Sequence, residues 1–140
     1  MNKEELADQI ALFELALLLE KQHPELRMMF HVPNEGKRSV YSGAELKRAG
    51  LKKGVPDVML PVARKGYNGL AIEMKAGKNK PTEEQKKWLT GLAKEGWLCY
   101  VCRGYEAAAT VLGDYMDIKI SLLRKPRKAE RYGKDGVIDG

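Results

Sequence analysis

Two carboxylates and an amine stand at a spacing that suits chemistry on a phosphate. Asp57 follows Gly54-Val55-Pro56, and sixteen residues later comes the glutamate of Ile72-Glu73-Met74-Lys75. Residues two apart on a strand project from one face, so Glu73 and Lys75 share a side while Ile72 and Met74 point into a core. Between the two stretches, Asn68-Gly69 is a strong hairpin signal. Folding the chain there brings Asp57 beside Glu73 and Lys75 at one end of a sheet. Neighbouring carboxylates repel, and a hard divalent cation relieves the repulsion by binding their oxygens. Magnesium keeps several waters, which leaves positions for a scissile phosphate and an attacking water. The lysine can stabilise charge on a pentavalent phosphorane, or position or deprotonate the water. A lone Glu-x-Lys is more often a solvated face carrying a weak ion pair. The combination argues otherwise: Pro-Asp, a hairpin, the Glu-x-Lys strand, then a helix whose first turn carries Gln85.

The elements that must position these residues follow from periodicity. Residues 3–22 carry Leu6, Ile10, Phe13, Leu17 and Leu18 at helical spacing and stop before Pro24. Met28–Val32 reads as a strand ended by Pro33, and Asn34–Ser39 as a basic loop. Ser42–Ala49 reads as a short helix closed by Gly50, Asp57–Ala63 as a second strand, and Leu70–Lys75 as its hairpin partner. Pro81-Thr82 opens a helix to about Glu95, where Thr82-x-x-Gln85 fits a capping box that needs no catalysis. Trp97–Arg103 reads as a strand, Tyr105–Met116 as the last helix, and Ile118–Leu123 as an edge strand. From residue 124 the apolar periodicity is lost, and six Lys or Arg stand against three acids. The expectation is one domain over 1–123 with the order α-β-α-β-β-α-β-α, then a flexible basic tail over 124–140.

At 140 residues and 44% hydrophobic content, the chain can build one core, and no apolar run is long enough to span a bilayer. The charged, amphipathic N-terminus lacks a signal-peptide pattern, so a cytoplasmic protein is expected. A net charge of +6 favours a polyanionic partner. Cys99 and Cys102 form a C-x-x-C inside a predicted strand, where residues three apart face opposite ways; two reduced thiols are expected there, without zinc.

The order Pro-Asp, hairpin, Glu-x-Lys, helix with glutamine is the one that PD-(D/E)xK nucleases use. More narrowly, HVPNEGKRS, LKRAGLKKGVPDVMLP and GLAIEMKAGKNKPTEEQKKWLTGLAKEGW resemble the stand-alone VRR-NUC nucleases of phage and bacteria over roughly residues 4–116. The resemblance implies a three-layer α/β core, a mixed sheet flanked by helices. It implies Mg²⁺-dependent cleavage of DNA, with Mn²⁺ as a substitute, including structure-selective cutting of branched DNA such as four-way junctions by homodimers. By the same resemblance, Asp57, Glu73 and the Met74 carbonyl are metal ligands and Lys75 is the catalytic lysine. Gln85 supports the lysine or the water, and Glu5, with Gln9 one turn later, is the first-helix glutamate. No small-molecule cofactor is implied.

Asn34, Lys37, Arg38, Lys52, Lys53, Lys78 and Lys80 lie close in sequence to this site and are candidate contacts to DNA phosphates. No helix-turn-helix, finger spacing or interleaved aromatics is present for reading bases, which favours selection by shape. The rival readings are a catalytically silent DNA-binding module and a nuclease of the same fold acting on other DNA or on RNA.

Overall fold

The computed structural model describes residues 1–33 and 41–138. Helix α1 (Lys3–Leu19) starts at a reciprocal cap: the Asn2 side chain accepts from the Glu5 amide, and the Glu5 carboxylate accepts from the Asn2 amide. Pro24 opens a 3-10 turn over Pro24–Met28. Helix α2 (Gly43–Arg48) buries none of its residues. Then come β1 (Val58–Leu60), β2 (Leu70–Lys75), α3 (Glu83–Lys94), β3 (Leu98–Arg103), α4 (Tyr105–Met116), β4 (Ala129–Gly133) and β5 (Gly136–Val137).

The strands form one mixed sheet in the order β1-β2-β3-β4-β5. β1 runs antiparallel to β2, and β2 and β3 are parallel because α3 makes the crossover between them. β4 and β5 continue antiparallel on the far side of β3. The alternation along β2 divides the interior in two. Leu70, Ile72 and Met74 pack with Leu12 and Ala16 of α1 and with Leu112 and Tyr115 of α4. Ala71 packs on the other face with Leu89 of α3, Cys99, Val101 and Tyr132. The result is the three-layer α/β arrangement expected from the sequence. No helix among the described residues is long and apolar enough to cross a membrane.

Cys99 and Cys102 sit on opposite faces of β3, buried and free. Burial pushes the Cys99 thiol up to about 12 and that of Cys102 well above its ordinary value, so both stay protonated.

Four local expectations need correction. The run from Met28 to Val32 is not a strand: it finishes the 3-10 turn, and only Phe30 pairs, in a single bridge to Met59. β1 stops at Leu60 because Pro61 has no N–H for the ladder, and the Val62 amide turns back to the Leu60 carbonyl. The hairpin reverses at Lys65-Gly66, both at positive φ between the bridged Arg64 and Tyr67. Asn68 instead holds the end of α3, donating from its amide to Gly96 and from its side chain to Glu95. Gly69 is needed because the Trp97 ring lies 2.6 Å from where a Cβ would stand.

The fourth correction concerns the C-terminus. Residues 118–123 form no strand; Asp117 closes α4 in a left-handed conformation, and Ile120 folds back over Gly113. The sheet edge comes from β4 and β5, inside the segment expected to be a flexible tail. The domain therefore extends beyond residue 123.

Candidate active site

The site lies where β1 begins and β2 ends. Val58 pairs with Ile72, so the register sets Asp57 opposite Glu73 on the face turned to α3. Both are buried, Asp57 at 7% and Glu73 at 2% exposure. Asp57 Oδ2 accepts the Met74 amide at 2.8 Å. In an extended strand the N–H and C=O of one residue point the same way, so the Met74 carbonyl is directed to the side of Asp57.

Glu73 is the most constrained group. Its Oε2 accepts Gln85 Nε2 at 3.1 Å and lies 3.7 Å from Lys75 Nζ. Its Oε1 is buried with no hydrogen-bond partner among the described residues. Burial, with the Asp57 carboxylate beside it, pushes the Glu73 pKa up to about 9, against a partial pull from the Lys75 ammonium.

Gln85 is oriented by the start of α3. Its Oε1 accepts the Thr82 amide at 2.8 Å, and the Thr82 hydroxyl accepts the Gln85 amide. With the oxygen committed to the cap, the amide nitrogen is left to face Glu73. Capping and contact with the site therefore coexist in one side chain.

The approach to Asp57 is locked against the same turn of α3. Gly54, at φ +82°, lies so close that a Cβ would stand 2.6 Å from the Glu84 carbonyl carbon and 2.8 Å from the Gln85 nitrogen. Trp88 Nε1 donates to the Lys53 carbonyl at 2.9 Å. The Gly-Val-Pro-Asp stretch thus rests on the backbone that carries Gln85.

Glu5 enters from α1, 3% exposed, with both oxygens engaged. Oε1 completes the α1 cap, while Oε2 accepts the Ala76 amide at 3.0 Å and Asn79 Nδ2 at 3.2 Å. Burial raises its pKa, but the bonds from Asn79, Ala76 and Asn2 and the Lys75 charge outweigh this, and the net shift is downward. Glu5 stands as a carboxylate clamping the start of α1 to the end of β2.

Glu5, Asp57, Glu73, Lys75 and Gln85 line one cleft, which the structure completes with His31. His31 Nδ1 lies 2.7 Å from the Asp57 carbonyl, which can only accept, so Nδ1 carries the hydrogen. Sequence reasoning passed over His31 and Asn79. Each stood inside a stretch used for the resemblance, but neither had a partner visible in sequence.

Of the candidate DNA contacts, Lys52 and Lys53 directly precede Gly54, and Lys78 and Lys80 follow β2; all four are exposed. Asn34, Lys37 and Arg38 lie outside the described residues. Among the described residues no group of three or more His, Cys, Asp or Glu side chains closes into a metal cluster. A cation here would rest on two carboxylates, a carbonyl and water, the donor set that magnesium accepts.

Comparisons with known proteins bear on the family and the fold. No curated protein matches the chain. A solved structure described as a VRR_NUC domain protein superposes with a TM-score of 0.67 at 28% identity, covering 84% of this chain and 92% of that one. The family model of the VRR-NUC domain matches residues 15–106, which include every residue of the cleft named above except Glu5. The nuclease-type fold and the matched sequence together show that the chain belongs to the VRR-NUC domain family.

Proposed function

We propose that this protein is a metal-dependent DNA endonuclease that hydrolyses phosphodiester bonds in branched DNA, such as four-way junctions or flaps, as a homodimer in the cytoplasm of a bacterium or phage-infected host. Glu73 carries the reading: a buried carboxylate against Asp57, with one oxygen lacking a partner among the described residues. Such a group is poorly tolerated as an anion unless a cation joins it. Asp57, Glu73 and the Met74 carbonyl would hold Mg²⁺, or Mn²⁺ in its place. Bound there, the ion would supply charge to the scissile phosphate and lower the pKa of a coordinated water.

The chain's own residues do the rest. The Lys75 ammonium opens into the same cleft and stabilises negative charge developing on the phosphate oxygens. Gln85 keeps the Glu73 carboxylate in one orientation, and Glu5 fixes the end of β2. Lys52, Lys53, Lys78 and Lys80, with Asn34, Lys37 and Arg38 on sequence grounds, contact flanking phosphates.

The absence of base-reading motifs in the sequence supports selection by shape. A two-fold junction suits a two-fold enzyme. The exposed leucines of α1, Leu17 and Leu18 at 68% and 79%, support a second copy of the chain as the partner.

The test is cleavage of labelled four-way junction, flap and linear duplex with Mg²⁺, Mn²⁺ or EDTA, by wild type and Lys75→Ala. Metal-dependent cutting of branched DNA that vanishes in the variant is the expected result. Tight binding without cutting by either protein would replace the enzyme with a silent DNA-binding module.

A further inference from the structure

Strand β4 brings a second set of cations beside the cleft. Lys78 and Lys80 in the loop after β2, Lys86 on α3 and Lys128 at the entrance to β4 line one groove with Tyr132. Lys78, Lys80 and Lys128 are exposed and make no ion pair with any described residue; Lys86 pairs only with the exposed Glu83.

The groove is a built feature. Arg103, at the end of β3, donates to the Gly77 and Asn79 carbonyls and pairs with Glu130 at 3.2 Å. Its own amide donates to the Lys128 carbonyl at 3.0 Å. One arginine therefore fastens the lysine loop to β4 while Glu130, which also lines the groove, absorbs its charge, and Lys78, Lys80 and Lys128 have no acid paired with them among the described residues. Asn79, held by Arg103, also donates to Glu5, so the groove wall and the catalytic cleft share a hydrogen-bonded chain. Lys86 directly follows Gln85. Residues 128–132 lie beyond the stretch matched by the family model.

Like charges gathered in a concave wall of low dielectric focus a positive potential, and the ligand that fits it is a run of phosphates. We infer that this groove holds the sugar-phosphate backbone of the DNA substrate at phosphates flanking the scissile one, with Lys128 of β4 supplying part of the grip. The inference rests on the nuclease reading above and adds a binding subsite to it.

The test measures binding of labelled four-way junction by the full chain in EDTA across a KCl series. It compares wild type, Lys80→Ala/Lys128→Ala, Lys80→Arg/Lys128→Arg and Lys94→Ala, a lysine at the far end of α3. Losing two phosphate contacts lowers the log–log salt slope by about 1.8 and weakens binding by roughly tenfold or more at low salt. The arginine pair and Lys94→Ala should keep the wild-type slope. An alanine pair with wild-type affinity and slope overturns the inference, and so does equal weakening in the arginine pair, which would mark a structural role. Wild type that cuts DNA while the alanine pair binds normally removes the groove and keeps the nuclease. Wild type that grips DNA through the groove and never cuts keeps the groove and removes the nuclease.

Discussion

Gln85 reaches Glu73 at 3.1 Å with its amide nitrogen while its amide oxygen caps α3. The two functions separate in Gln85→Glu. Glutamate also serves at the third position of a capping box, so melting temperature should change little. It would, however, set a carboxylate against Glu73. Cleavage should fall by about 10–100-fold, the usual range for losing a residue that orients a metal ligand. A parallel loss of stability and activity would mean that the cap alone matters.

Gly54→Ala tests the packing that aims Gln85. The added methyl would meet backbone of α3 at 2.6 Å, and the positive φ adds strain. A loss of about 2–4 kcal/mol is expected from overpacking and conformation together. Gly66→Ala, also at positive φ but with nothing within 4 Å of the new methyl, should lose only about 1 kcal/mol. Denaturant titration of both variants gives the comparison.

Glu73 makes the metal-free protein sensitive to pH. Its folded pKa of about 9 stands above the ordinary 4.5, so between these values the folded state keeps a proton that the unfolded chain has released. Stability from this group therefore falls as pH rises from about 5 to about 9 and levels off beyond. Glu73→Gln should flatten that slope and be more stable than wild type at pH 8 by roughly 1–3 kcal/mol in EDTA. Added Mn²⁺ should raise the wild-type melting temperature at pH 8 and leave the variant nearly unchanged. Identical pH profiles in EDTA would contradict the assigned environment of Glu73.

The dimer reading makes a simple claim about mass. Leu17→Asp/Leu18→Asp changes two exposed side chains, so circular dichroism should stay unaltered. Light scattering should report a drop from twice 15.7 kDa to the single chain. A wild type already at 15.7 kDa would rule the dimer out.

Much of the cleft could be read from sequence because its parts are local. Glu73 and Lys75 share a face by strand alternation alone, and Thr82-x-x-Gln85 announces the start of α3. The Asp57–Glu73 neighbourhood depends on the reversal at Lys65-Gly66, which sets Val58 opposite Ile72. A two-residue turn at Asn68-Gly69 would pair Tyr67 with Leu70 and carry Asp57 past the end of β2, so the expected turn was wrong even though the expected neighbours meet. Asn-Gly marked a real constraint of another kind, the close approach of Asn68 and Gly69 to the α3–β3 junction. Strand β4 was invisible for a physical reason. In Ala129-Glu130-Arg131-Tyr132-Gly133 only Tyr132 is buried, and the strand is held by its backbone ladder to β3 and by Arg103. A hydrophobic pattern cannot report an edge strand recruited through hydrogen bonds and an ion pair. His31 was hidden likewise, because its partner is a main-chain carbonyl 26 residues away.

Glu5 and Gln85 occupy the same place in their helices, the third position of a capping box. Each reaches the cleft only while the first turn behind it is wound. Helix ends open at lower free energy than a sheet's core, and these two are held by the Ala76 and Asn79 bonds to Glu5 and by the packing of Gly54 on α3. On warming, the cleft should therefore lose its alignment at temperatures where the sheet is still intact, and should regain it on cooling without the chain having to refold. On the nuclease reading, the upper working temperature would then be set by the fraying of two helix ends, and a better core would not raise it.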